Sequence, residues 1–102
     1  MKEYTSSYEW IERKGNIAIV GISKFALEQF GEVVKLSLPE IGKIVKEDQE
    51  VCIIESSKSA LDITTPISGK IVEVNEKLLD NIDLLNKDPE NKGWLFKIDT
   101  SI

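Results

Sequence analysis

An all-β domain with short helical segments is the fold class that the sequence predicts, and three observations carry it. Short runs rich in β-branched residues alternate with Gly, Pro and Asn punctuation, and no long stretch keeps a 3.6-residue apolar period. The third observation is size: 102 residues, 41% hydrophobic and 30% charged, supply one modest core. Residues 1–102 are therefore read as one domain.

The elements follow in chain order. Tyr8 to Glu12 and Ile17 to Ile22 read as two strands joined at Lys14-Gly15-Asn16, because glycine beside asparagine readily adopts the positive φ of a tight turn. Ser23 is placed to cap a short helix running through Phe30, its hydroxyl accepting a free N-terminal amide, and Gly31 to end it. Phe25, Ala26 and Phe30 are expected to help face the core. Val34, Leu36 and Leu38 alternate with Lys35 and Ser37, which predicts a strand with one buried face that Pro39 terminates. The apolar run Val51-Cys52-Ile53-Ile54 and the alternating run from Leu61 read as two further strands. Between them Ser56, Ser57 and Ser59 favour a turn through hydroxyl-to-backbone bonds, which puts Lys58 at a hairpin tip. From Asn75 to Lys87, Leu78, Leu79, Ile82, Leu84 and Leu85 are mixed with acids and asparagines, a pattern for one or two helical turns. Gly93 to Ile98 reads as a closing strand. Trp10 and Trp94 are expected to anchor the core, since large aromatics bury much area and use the indole N–H for one hydrogen bond.

An internal repeat crosses this pattern. Pro39-Glu40-Ile41-Gly42-Lys43-Ile44-Val45 is echoed by Pro66-Ile67-Ser68-Gly69-Lys70-Ile71-Val72, both matching P-x-x-G-K-I-V. A turn followed by a strand cannot bury its apolar face alone, so two copies suit a sandwich of two related halves.

Charge and composition narrow the function classes. A net charge of −5 and a pI near 4.8 argue against a nucleic-acid binder, which needs clustered Lys and Arg. They suit an acidic carrier, or a protein whose partners have basic docking surfaces. The absence of histidine removes the usual Ser-His and Cys-His nucleophile pairs and the commonest transition-metal ligand. No catalytic residue and no metal site is assigned, and the chain is expected not to be an enzyme. Cys52, the one cysteine, lies in an apolar run where a thiol is expected to be buried as a small hydrophobe, and no disulfide can form within the chain. Residues 1–7 lack the apolar core of a secretory signal, and no apolar run approaches membrane-spanning length. A soluble cytoplasmic protein with no membrane partner is the expectation.

A series of ordered blocks then bears on function. They are Ser7-Tyr8-Glu9-Trp10, Gly21-Ile22-Ser23-Lys24-Phe25-Ala26, and Gly31-Glu32-Val33-Val34 leading to Leu38-Pro39. Glu55-Ser56-Ser57-Lys58-Ser59-Ala60-Leu61-Asp62 follows, then Pro66-Ile67-Ser68-Gly69, Val74-Asn75-Glu76, Asn86-Lys87-Asp88-Pro89 and Gly93-Trp94-Leu95. In order and approximate spacing these resemble the H protein of the glycine cleavage system, from about Tyr4 to Ile98. A lysine in a serine-rich turn is by itself most often simply solvated; the flanking blocks single Lys58 out.

The resemblance implies the lipoyl/biotinyl barrel-sandwich hybrid, with residues 1–102 as a single lipoyl-carrier domain. It implies lipoate covalently attached to Lys58, in the exposed turn where the residue pattern independently puts that lysine. A hairpin tip gives such an arm reach while the sandwich holds its base. A solvated lysine is almost wholly protonated at neutral pH and a poor nucleophile, so a lipoate-protein ligase or lipoyltransferase is implied as a partner. The other implied partners are glycine decarboxylase, which loads an aminomethyl group, aminomethyltransferase, which removes it, and dihydrolipoamide dehydrogenase, which reoxidises the arm. The loaded arm ends in an ammonium, which favours anions and hydroxyl acceptors at short range. Ser7, Glu9 and Asp62 match family positions that shield it, although taken alone each reads equally as a solvated strand residue. A shuttling carrier is expected to be a monomer.

The sequence departs from the family at Tyr8, where histidine is common, and at Ser57 and Ser59, which replace apolar and small neighbours of the lysine. Ile82 replaces a proline often found there, and the sequence stops at Ile102 without the helical C-terminal extension of typical members. An H-like carrier for lipoate relay or another redox-linked pathway is therefore the alternative. A biotin carrier or an unmodified binding module built on the same sandwich is a weaker reading; biotin sites resemble a lysine set between methionines, and Met1 is the only methionine.

Overall fold

A computed structural model describes every residue of the chain except Ser7. Its strands are β1 (Lys2–Tyr4), β2 (Glu9–Lys14), β3 (Ile17–Ile22), β4 (Val33–Leu36), β5 (Ile44–Val45), β6 (Glu50–Ser56), β7 (Ala60–Thr64), β8 (Gly69–Val74) and β9 (Phe96–Asp99). Three short helices, α1 (Lys24–Phe30), α2 (Lys77–Asp80) and α3 (Asp83–Lys87), connect them. A six-stranded sheet runs β1-β2-β3-β9-β8-β5, and a three-stranded sheet runs β4-β6-β7. Val20 and Ile22, Phe96 and Ile98, and Ile71 of the first sheet pack with Val33, Ile54 and Ile63 of the second, so the core lies between the sheets, closed by Leu78 and Leu85 of the short helices. This is the all-β class with short helical segments that the sequence predicts.

The helix signals are realised. Ser23 Oγ accepts the Ala26 N–H at 3.1 Å, and α1 ends at Gly31, whose φ of 97° only glycine adopts without strain. The two copies of the repeat pair with each other: Ile44 lies opposite Lys70 and Val45 opposite Gly69, and the Ile71 N–H donates to the Lys43 carbonyl at 2.9 Å. Antiparallel pairing of equivalent segments is what two related halves produce.

Four details differ from expectation. β1 was not foreseen; it is a short edge strand that pairs with β2 and carries exposed charges, so it shows no apolar alternation. On α1 only Ala26 is fully buried, while Phe25 is 58% exposed because it follows the cap on the solvent side. On β4 the buried residue is Val33 and Val34 faces out: a bulge between Val33 and Lys35 inserts one extra residue opposite β6 and inverts the alternation at that point. Of the two tryptophans, Trp10 is buried, its indole N–H donating to the Pro89 carbonyl at 3.0 Å, whereas Trp94 is only half-buried under the ammonium of Lys97. Trp94 precedes β9, whose ladder begins at Phe96 rather than Gly93.

Side-chain amides account for two of the ordered blocks. Asn86 accepts from the Val33 N–H and donates to the Val33 carbonyl, tying α3 to β4, and Asn75 donates to the carbonyls of Lys92 and Trp94. Gly21 lies under Trp10, where a Cβ would come within 2.6 Å of the indole ring.

Candidate functional site

The β6–β7 hairpin sets the position of Lys58. Along β6, Cys52, Ile54 and Ser56 face the core while Ile53 faces solvent, and the register pairs Ile53 with Asp62, Ile54 with Leu61 and Glu55 with Ala60. At the tip the Ser56 N–H donates to the Ser59 carbonyl at 2.9 Å, and Ser56 Oγ accepts the N–H groups of Lys58 and Ser59, both at 3.2 Å. Serine-rich sequence thus becomes a tight turn because a hydroxyl replaces a ladder carbonyl. Lys58 is exposed, and among the described residues it takes part in no ion pair.

Glu9 begins β2 and is 2% exposed. Burial pushes its carboxyl up to about 7, against a hydrogen bond from Thr5 Oγ1 at 2.8 Å, a backbone hydrogen bond that also lowers it, and a smaller raising effect of the Asp48 charge. The same Thr5 Oγ1 accepts the Glu9 N–H at 3.1 Å, and the Thr5 N–H donates to the Glu9 carbonyl at 2.9 Å. Thr5 is a partner that the sequence reading missed; a threonine four residues before an acid carries no signal until the chain folds back. Glu9 also lies close enough to the buried Cys52 thiol to act on it. That thiol is pushed up to about 12, first by its own burial and then by the Glu9 charge.

Asp62 sits on β7 and is exposed, opposite Ile53. Ser7 lies outside the described residues. Among the described residues no hydrogen bond or ion pair joins Lys58, Glu9 and Asp62: the lysine is at the free end of the hairpin, and Glu9 belongs to the other sheet at the level of Cys52 and Asp48. Four residue steps along β6 separate Cys52 from Ser56, about 13 Å at the usual rise, and Lys58 lies in the turn just beyond.

Beside Glu9 a groove of about 390 Å³ is lined by Tyr4, Thr5, Ser6, Tyr8, Phe25 and Glu90, among others. Tyr8 holds a φ of 76°, rare for a non-glycine residue, and its ring stacks on Phe25 at 6.1 Å. The Tyr4 hydroxyl donates to Glu90, which holds the phenol above its usual range. No group of three or more His, Cys, Asp or Glu side chains able to hold a metal occurs among the described residues. Among the described residues no helix is long and apolar enough to cross a membrane.

Comparison with known proteins converges on one family. A model of the glycine cleavage H-protein matches residues 2–101. The glycine cleavage system H protein of Thermotoga maritima is 52% identical over 101 residues, covering 99% of this chain and 82% of the relative. That of Symbiobacterium thermophilum is 44% identical over 97% of this chain and 77% of the relative. The crystal structure of a glycine cleavage system H protein from Mycobacterium marinum superposes with a TM-score of 0.91 at 34% identity, covering 98% of this chain and 84% of that one.

Proposed function

The chain belongs to the glycine cleavage H-protein family, and from that premise we propose that Lys58 carries a covalently attached lipoyl group with which the protein serves glycine cleavage. The observation that carries this reading is the exposed amine at the apex of a rigid, hydrogen-bonded hairpin, free of ion pairs among the described residues. When bound, a lipoyl group supplies a disulfide that accepts an aminomethyl group and undergoes two-electron oxidation and reduction.

The chain's own part is to present, to shelter and to release. Lys58 holds the base of the arm at the exposed end of the β6–β7 hairpin, where successive enzymes reach it. Glu9 and Asp62, with Ser7, are the groups we assign to sheltering the cationic end of a loaded arm. Glu9 suits that task because it is desolvated, so a nearby ammonium strengthens its ionised form. The roughly 13 Å of β6 between the level of Cys52 and the hairpin tip exceeds the reach of a bare lysine and calls for an extended arm. The protein itself performs no bond chemistry in this reading. Glycine decarboxylase loads the arm, aminomethyltransferase unloads it, dihydrolipoamide dehydrogenase reoxidises it, and a lipoate-protein ligase or lipoyltransferase installs it. Exchange among them fits a monomeric cytoplasmic carrier.

Intact mass and peptide mapping after incubation with lipoate-protein ligase, lipoate and ATP test the reading. A lipoyl increment on Lys58 that disappears in Lys58→Arg is expected. An unmodified Lys58 under conditions that lipoylate a control H protein refutes it.

A further inference from the structure

Ser56 precedes the modified position by two residues and is 9% exposed, its side chain turned inward between the hairpin ends. Its hydroxyl accepts the Lys58 N–H and the Ser59 N–H at 3.2 Å each, and lies 3.4 Å from the Ser59 carbonyl, to which it donates. One donor and two acceptor sites are all that a serine hydroxyl has, and every one is spent on the turn that carries Lys58. The Ser56 N–H also donates across the tip to the Ser59 carbonyl at 2.9 Å. The neighbours Ser57 and Ser59 are exposed.

We infer that Ser56 is a positioning residue for acylation of Lys58, its hydroxyl fixing the direction in which the lysine leaves the hairpin. This rests on the reading of Lys58 as the acylated residue. In that step the deprotonated ε-amine attacks the carbonyl carbon of a lipoyl adenylate formed by the ligase from lipoate and ATP. The amide bond forms, the acyl–phosphate bond breaks, AMP leaves and the amine proton passes to solvent. The step needs the nitrogen on one line of approach, and a loosened tip samples that line less often. In Ser56→Ala the amides of Lys58 and Ser59 still find water, because the tip is exposed, so the fold tolerates what orientation does not.

The test follows lipoylation kinetics in the whole protein with lipoate-protein ligase, lipoate and ATP. Ser56→Ala is expected to lower kcat about tenfold with little change in KM, and Ser56→Thr, which keeps the hydroxyl, to recover it. Acetylation of Lys58 by a small reagent, which needs no alignment, stays at the wild-type rate. Equal kcat in wild type and Ser56→Ala overturns the inference while leaving Lys58 as the modified residue; a wild type that is never lipoylated removes both. Should Ser56→Ala fail to fold, hydrogen exchange in the wild type decides: slowed exchange at the Lys58 and Ser59 amides supports the inference, and exchange at the free-peptide rate overturns it.

Discussion

A buried carboxyl group is the residue in this chain most sensitive to its surroundings. Glu9 has lost nearly all its water and keeps a hydroxyl donor, Thr5, which is too little to hold its charge cheaply. Its folded-state value of about 7 stands above the 4.5 of an unburied glutamate, so between those values the native state binds more protons than the unfolded chain. The stability this provides is complete below pH 4.5 and disappears as pH rises through about 7. Glu9→Gln is expected to abolish that slope, leaving the variant up to about 3 kcal/mol more stable than wild type at pH 8 relative to pH 4, at about 1.4 kcal/mol per pKa unit. Urea titrations at the two pH values read the difference, and an unchanged slope would show that the carboxyl titrates as though exposed. The sequence shows Glu9 only as an acid beside an apolar strand; its burial depends on Thr5 and on the approach of β6.

Elements show where alternation suffices and where it fails. The β6–β7 hairpin was legible because serines interrupt two apolar runs, and α1 because its cap and terminator are residues with specific backbone chemistry. The buried face of β4 was misread by one residue at the bulge, since nothing local marks Val34 as the extra one. Asn86 joins α3 to β4 through two hydrogen bonds to Val33, at 2.8 and 2.9 Å, across 53 positions of sequence. Asn86→Ala leaves both backbone groups short of a partner in a part-buried place and should cost about 1–3 kcal/mol. The urea midpoint should fall accordingly. A variant as stable as wild type would mean that water replaces the amide.

At the scale of the whole molecule, the core between the two sheets encloses Cys52, whose thiol is 5% exposed and pushed up to about 12. A thiol that is buried and protonated is neither reachable nor nucleophilic, so it does not exchange with a disulfide carried on the same protein. Its reaction with a disulfide reagent should therefore proceed only through opening of the core, with a rate that rises with urea in step with global unfolding. Rapid labelling in native buffer would place Cys52 on a locally opening strand instead. The net charge of −5 belongs to the same scale. It favours encounter with basic partner surfaces without contributing to the fold.

The sequence by itself determined the β class, the α1 cap and stop, the helical turns after Asn75, the two turn-and-strand copies of the repeat, and the turn bearing Lys58. Each of these depends on neighbours within a few residues, where period, hydroxyls, glycine and proline act directly. Tertiary structure alone decided that Glu9 is buried and held by Thr5, that Trp10 is enclosed while Trp94 is not, that Val34 faces out, and that Asn75 and Asn86 bind backbone far away in sequence. Those outcomes depend on which surfaces meet when two sheets close on one core, and desolvation acts on a group only after they have met.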